Sequence, residues 1–378
     1  MNSVYETAND PLDRWSTFRE ATAQPHIWRS WGADLEPLAK SVSEWIRVGD
    51  YEEIWLCGAG TSAFIGDTLT PYLNAPPRPP RYRAVSTTDL VSCPTNYIGS
   101  KRRLLILSFG RSGDSPETVG TLDLLDAHLP AADRLHFTCN PDGALASRPA
   151  PGPGRQKVVL LPPQSNDSGF AMTSSYSTML LSALSCLDDN PPLPLAAAFD
   201  RLSNGAERVL GRSLSLARTT MQRPSRAAFL GCGTLTGSAR ECALKVLELT
   251  RGHVPTTWDS TLGFRHGPKA IMDENTRVYV LVSGDPHTRR YDLDAVDEIR
   301  QQFGAPSVAT LGDGEGMDVK VPLIGNDAWT SVLYVVAMQI QAICWSDLLS
   351  INVDNPFMEG NLSRVVTGVS LYPLGAAR

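Results

Sequence analysis

Two stretches of this chain spell the same short pattern, and that repeat restricts the possible folds more than any other feature. Ile54-Trp-Leu-Cys-Gly58-Ala-Gly60-Thr61-Ser62 is an apolar run entering a Gly-x-Gly-Thr turn. Ala228-Phe-Leu-Gly231-Cys-Gly233-Thr234 repeats it, with Gly231 lying 173 residues after Gly58. A second apolar run follows in each copy, Leu104–Ser108 and Val278–Ser283, and each leads into another loop and helix. Short apolar runs alternating with helical stretches predict parallel α/β sheets. A period this long means two copies of one domain, not a solenoid.

The chain has 378 residues, enough for two such domains. Pro-rich Leu187–Pro194 marks the boundary, with 201–223 as the opening helix of the second copy. Residues 10–50 read as helical, with Trp28, Trp31, Leu35, Leu38 and Trp45 on the apolar side. The expected organisation is a helical extension over 1–50, a first domain over 51–195 and a second over 201–378. Within the first, Val158–Leu161 is a further strand and Thr178–Ser185 a helix.

A net charge of −6 gives no general attraction to nucleic acid or to an anionic membrane. The first six residues lack a basic and apolar leader. The most apolar stretch, Val332–Trp345, is interrupted by Gln339 and Gln341 and is too short to span a bilayer. Seven scattered cysteines, without Cys-x-x-Cys or zinc spacing, read as reduced thiols of a cytoplasmic protein that holds no metal.

Chemistry concentrates in three places. Glu241, Lys245 and Glu248 fall on one face of a predicted helix, covering roughly 60° of it, while apolar residues cover roughly 220°. Charge on a mostly buried rod must be paired or line a cleft. A carboxylate there, with His266 in Arg265-His266-Gly267-Pro268, suits proton transfer. A solvated i,i+4 pair between Glu241 and Lys245 is equally open at this point.

The second place is Ser108-Phe-Gly-Arg111-Ser112-Gly113-Asp114-Ser115-Pro116-Glu117-Thr118. Ser115 is a good N-cap with Pro116 at the first helical position. Free backbone donors, the helix dipole and Arg111 suit an anion, with Asp114 directed away from it. A plain capped turn is the alternative. The loop has no Gly-Lys-Ser/Thr, and Gly58-x-Gly60 lacks an acidic partner about 20 residues on, so nucleotide binding is not expected. The third place is Ser168–Ser175, where Thr173 and Ser174 either cap a helix or line the same cleft as Ser112. His136 and His287 read as ordinary loop or surface histidines. His253 lacks the following Gly-Pro of His266.

Taken together, these motifs resemble the tandem sugar isomerase (SIS) family over about Tyr51–Tyr372. The acid–base helix and His266-Gly267-Pro268 are similar to the isomerase half of glucosamine-6-phosphate synthase. The opening Arg19–Trp28 and the tail Asn355–Pro373 resemble the AgaS group of galactosamine-6-phosphate deaminase/isomerases, also named tagatose-6-phosphate ketose/aldose isomerases. The resemblance implies an α/β fold of two SIS domains, each a parallel-sheet three-layer sandwich. It implies Glu248 as the proton-shuttling carboxylate and His266 as the ring-opening group, often supplied by a neighbouring subunit. Glu241 and Lys245 become flanking charges. Gly60, Thr61, Ser62, Arg111, Ser112, Ser115 and Thr118 fall in or beside the phosphosugar-binding elements, and Thr173 and Ser174 near the sugar. Arg364 stands where the synthase has a tail lysine, and the spacing from Glu248 to His266 is slightly longer here. An arginine forms no Schiff base, so Arg364 would serve as a fixed charge or donor.

The implied substrate is a phosphorylated hexosamine, processed without a cofactor by a homodimer or higher oligomer. Without a glutaminase domain or a Cys at position 2, deamination is expected over synthesis. A simple phosphosugar isomerase, a glucosamine-6-phosphate deaminase and a non-catalytic phosphosugar sensor remain open.

Overall fold

The computed structural model describes residues 10–374 apart from 76, 78, 100, 101, 220, 221 and 367. The leader reading of residues 1–6 lies outside the described residues. In chain order, a long helix α1 (Ser16–Gly49) precedes β1 (Glu53–Gly58), α2 (Thr61–Leu73), β2 (Arg81–Ser86) and α3 (Thr87–Ser92). Then come β3 (Leu104–Gly110), α4 (Pro116–His128), β4 (Asp133–Thr138), α5 (Ala144–Ser147), β5 (Gln156–Leu160) and α6 (Ser174–Leu187). The second half holds α7 (Leu195–Thr219), β6 (Arg226–Gly231), α8 (Thr234–Leu249), β7 (Thr256–Asp259), β8 (Thr276–Leu281), α9 (Pro286–Phe303), β9 (Val308–Gly312), β10 (Val319–Lys320) and α10 (Asp327–Leu348).

The repeat is a repeat of topology. The sheets run β2-β1-β3-β4-β5 and β7-β6-β8-β9-β10, and every strand pair is parallel. The turns after β1 and β6 match in backbone detail: Gly60 and Gly233 cap the following helices at φ +53° and +56°. A Cβ on Gly58 would lie 2.5 Å from the Ser62 carbonyl carbon, and one on Gly231 2.5 Å from the Leu235 oxygen. Only glycine admits so close a return of the helix onto the strand.

Each sheet is buried on both faces, as parallel sheets require. In the first, Trp55, Cys57 and Ile106 pack with Leu90 of α3 and Leu125 of α4, while α2 approaches Leu56 on the other face through Gly66. In the second, Ala228, Leu230, Val278 and Val280 pack against Val296 and Ile299 of α9. The alternate residues Phe229 and Tyr279 stack at 5.2 Å, and Tyr279 meets Trp345 of α10 at 6.0 Å. α10 is long and apolar enough to cross a membrane, longer than the stretch read from sequence, and its apolar window is wholly buried within the protein.

The compact units do not follow the boundaries expected above. One holds the second sheet with residues up to Asp34, Asp167–Ser174 and Asp189–Glu359. The other holds the first sheet with Leu35–Asn166, Ser175–Asp188 and the residues from Gly360 on. Side-chain ties explain the exchange. The start of α1 is held by Asp354, whose carboxylate accepts from Ser16 N (2.8 Å) and Thr17 N (2.7 Å). Gln24 donates to Gln339 of α10 at 2.8 Å, and both are buried. The tail joins the first sheet, with Leu371 lying over Gly120 of α4.

Candidate active site

α8 carries its charges inward. Glu241 and Lys245 are 0% and 1% exposed, whereas Leu247 on the same helix is 40% exposed. A solvated surface pair is thereby excluded. Lys245 Nζ lies 3.3 Å from Glu241 Oε1 and also donates to Glu248 Oε1. Burial alone pulls the Lys245 ammonium down, but the two carboxylates outweigh it and hold its pKa above the ordinary value. The Glu248 side chain is 17% exposed, so it is the member of the triad that reaches solvent. A carboxylate with one oxygen tied to a fixed ammonium and partly open to an incoming molecule has the geometry of a proton carrier.

His266 closes a short 3₁₀ turn, Gly263–His266, that Phe264 roots in the core of the second sheet. Arg265 and Lys269 on either side both pair with Glu298, Arg265 Nε at 2.6 Å. His266 itself is exposed, as are His253 and His287. His136 is not the loop or surface group that its sequence neighbourhood suggested. It lies in β4, 1% exposed, with Nδ1 unbonded among the described residues. Burial, and then the nearby Arg134 charge, pushes its pKa down to about 3.

In the first-sheet unit, Ser115 caps α4. Its Oγ accepts from Thr118 N at 3.3 Å and lies 2.8 Å from Thr118 Oγ1, with Pro116 at the first helical position. Asp114 is turned away: Oδ1 accepts from Ala144 N at 2.7 Å, and Oδ2 from Asn140 Nδ2 at 3.4 Å. Ser112, half-buried at the bend, is left beside the free end of α4, with Asp114 N 3.4 Å from its Oγ. Arg111 is 6% exposed and donates from Nη2 to the Arg364 carbonyl at 3.3 Å. Thr61 and Ser62 are buried at the start of α2, where Gly60 provides no side-chain cap. The Arg364 side chain is exposed.

No family model matches the chain. A Streptomyces coelicolor protein bearing the AgaS name is 42% identical over 95% of both chains. The D-galactosamine-6-phosphate deaminase AgaS of a Shewanella species is 37% identical, over 94% of this chain and 92% of the relative. The crystal structure of tagatose-6-phosphate ketose/aldose isomerase from Escherichia coli superposes with a TM-score of 0.86 at 31% identity, covering 99% of this chain and all of that one. The chain belongs to the AgaS family.

In this AgaS-family chain the loop after β8 is built differently from the loop after β3. The loop after β8 is filled by the protein's own carboxylates. Asp327 accepts from the Ser283 hydroxyl and from Gly284 N (2.8 Å), and Asp292 from Ser283 N (2.9 Å) and Thr261 Oγ1 (3.0 Å). Asp285 takes the first N–H groups of α9, from His287 and Thr288, at 3.0 and 2.9 Å. Burial pushes the Asp292 carboxyl above its usual range, against the hydrogen bonds it accepts. Donors that could meet a phosphate are already occupied. The local signal was the aspartate at the head of α9 in place of serine.

Thr173 and Ser174 serve a helix cap. Buried Asp167 accepts from both hydroxyls and from both backbone N–H groups, with Thr173 Oγ1 and N each at 2.8 Å. The signal for this was an aspartate seven residues ahead of the first residue of α6. Glu20 of α1 holds the same segment through Ser168 N at 2.6 Å. Among the described residues no group of three or more His, Cys, Asp or Glu is arranged to hold a metal. Two cavities in the first-sheet unit, of about 410 and 360 Å³, contain none of the predicted site residues.

Proposed function

We propose that the protein converts galactosamine 6-phosphate and water to tagatose 6-phosphate and ammonia. The observation that carries this reading is the buried triad on α8, in which Glu248 alone is partly open while Lys245 is kept charged between two carboxylates. The names of the AgaS relatives support the substrate.

In this reading the phosphate rests at the N-terminus of α4 against Ser112, Ser115 and Thr118. Gly60, Thr61 and Ser62 supply a second wall, and Arg111 a positive charge beside it. This remote anchor fixes C2 for reaction. His266 moves the proton between the ring oxygen and the C1 hydroxyl, which frees the aldehyde. Glu248 removes the hydrogen at C2, whose electron pair delocalises onto the carbonyl, and returns it to C1. Glu241 and Lys245 hold that carboxylate in place. The product is a ketose imine. Water adds at C2 and ammonia leaves, a hydrolytic finish that needs no cofactor.

His266 is exposed, which suits delivery to the site of a second copy in a homodimer or larger assembly. Thr173 and Ser174 act through backbone shape, and Arg364 as a fixed charge in the tail. The phosphorylated substrate and the free cysteines fit a cytoplasmic location.

The name of the Escherichia coli structural relative favours one other reading, a ketose/aldose isomerase acting on a sugar without an amino group. Incubation with galactosamine 6-phosphate and with tagatose 6-phosphate, measuring ammonia and the ketose–aldose ratio together, separates the two. Ammonia released in step with ketose supports deamination. Interconversion without any ammonia from the amino sugar overturns it.

A further inference from the structure

The tail over residues 360–374 belongs to the first-sheet unit and is tied down on its inner side. Near its start, buried Arg111 donates to the Arg364 carbonyl at 3.3 Å. Farther on, Leu371 lies in a notch on α4, where a Cβ on Gly120 would come within 2.6 Å of Leu371 Cδ1 and 3.2 Å of Val91 Cγ1. Only glycine lets the tail approach the helix so closely.

The other side is open and apolar. Leu362, Val366, Val369, Leu371, Tyr372 and Leu374 are all exposed, Tyr372 to 85%. Together they leave on the order of 600 Å² of side-chain surface uncovered, against roughly 300–600 Å² for the largest apolar patch that a monomer usually keeps. Among the described residues, the backbone N–H groups of 369–372 and 374 meet no acceptor within the chain. A cavity of about 360 Å³, lined in part by Val91, Leu124, Ala127 and Leu371, separates part of the tail from α4, so the tail does not seal against the helix.

Charge and area together select what covers this face. Between 360 and 374 the one charged residue is Arg364. A partner that recognises its target through salt bridges finds little here. A two-fold contact between identical copies sets a patch against itself, so charges in it would meet their own like. A patch almost without charge escapes that repulsion. Two such faces would bury about 1,200 Å², the lower end of the range for specific interfaces.

We infer that the tail is a docking face for a second copy of this chain, tail against tail across a two-fold axis. The readout is assembly rather than turnover, so the inference stands or falls apart from the proposed reaction. The full chain and three variants are compared by sedimentation equilibrium over a concentration series. One variant carries Val369→Glu with Tyr372→Glu, and a second carries Val369→Lys with Tyr372→Lys. Both positions are exposed, so these changes cost the fold little, as circular dichroism will check. The third, Val48→Glu, charges an exposed apolar residue of α1 outside the tail. The wild type is expected to self-associate, each tail variant to bind its own copy at least tenfold more weakly, and Val48→Glu to match the wild type. Mixing the two tail variants should recover at least tenfold, because opposite charges then face each other. A wild type that stays monomeric overturns the inference. So does association that the tail variants leave unchanged, or that Val48→Glu weakens equally. Loss in both tail variants without recovery on mixing overturns it too, since the tail would then meet a different surface of the partner.

Discussion

Lys245 Nζ lies 3.3 Å from Glu241 Oε1 in a part of α8 that solvent does not reach. Each charge there depends on the other. Two buried or near-buried carboxylates flank one ammonium, and removing that ammonium leaves them facing each other in a medium of low polarity. Breaking a buried pair costs more than the intact pair contributes. Lys245→Met should therefore destabilise the protein by about 3–5 kcal/mol, read as a fall in the denaturation midpoint. A loss below about 1 kcal/mol would show the triad to be solvated in solution.

The same pair sets a pH range. The folded pKa of Lys245 is raised above the ordinary 10.5, so its contribution to stability is complete below the unfolded value and disappears as pH rises through the folded one. The stability difference between wild type and Lys245→Met should stay flat from about pH 7 to 9. It should shrink only in strongly alkaline solution. A difference that already shrinks near pH 8 would mean that Lys245 is held near neutrality.

Glu248→Gln keeps shape and an acceptor for Lys245 but cannot carry a proton. Turnover on galactosamine 6-phosphate should fall by roughly 10²- to 10⁴-fold while KM changes little. Deuterium at C2 should then fail to wash out into water at an appreciable rate. Near-normal turnover with normal washout would remove Glu248 from the reaction.

Much of this site could be read from residue order, because its determinants are local. The spacing of Glu241, Lys245 and Glu248 is a helix property, and the Ser115-Pro116 cap is a four-residue motif. What stayed hidden depends on contacts distant in sequence. Asp327 reaches the loop after β8 from α10, more than 40 residues on, and Asp292 of α9 ties that loop to Thr261, 31 residues before that aspartate. Asp354 and Gln339 draw the start of α1 into the second-sheet unit, against the expected boundary at residue 50. His136 was misplaced for another reason. Asp133-Arg-Leu-His-Phe-Thr138 looks half-polar, yet a central parallel strand is covered on both faces, so its polar side chains must pair or lose their charge.

If His266 of one copy serves Glu248 of another, two inactive variants should restore each other. Glu248→Gln and His266→Ala, each purified and then mixed under conditions that let subunits exchange, should regain up to about a quarter of wild-type activity at equal mixing, a statistical ceiling for shared sites. Activity that stays at the sum of the two single variants, with exchange verified by differently labelled subunits, would place both residues in one chain.

Buried His136 makes the stability of the protein sensitive to acid. In the folded state His136 is neutral, and its pKa of about 3 lies far below the ordinary 6.5. Below about pH 6.5 the unfolded chain binds a proton that the native strand refuses. Stability from this group is thus present above the unfolded value and is lost as pH falls toward the folded one. One such group accounts for a slope of at most about 1.4 kcal/mol per pH unit. His136→Leu should flatten the fall in stability between about pH 6 and 4 by close to one proton, measured by urea unfolding at each pH. Its stability at pH 7.5 is expected to change far less, since the neutral imidazole has Nδ1 unbonded in the described structure and little polar bonding is given up. An identical slope in the two proteins would mean that His136 takes up its proton in the folded state, through opening of β4 or through water reaching the strand.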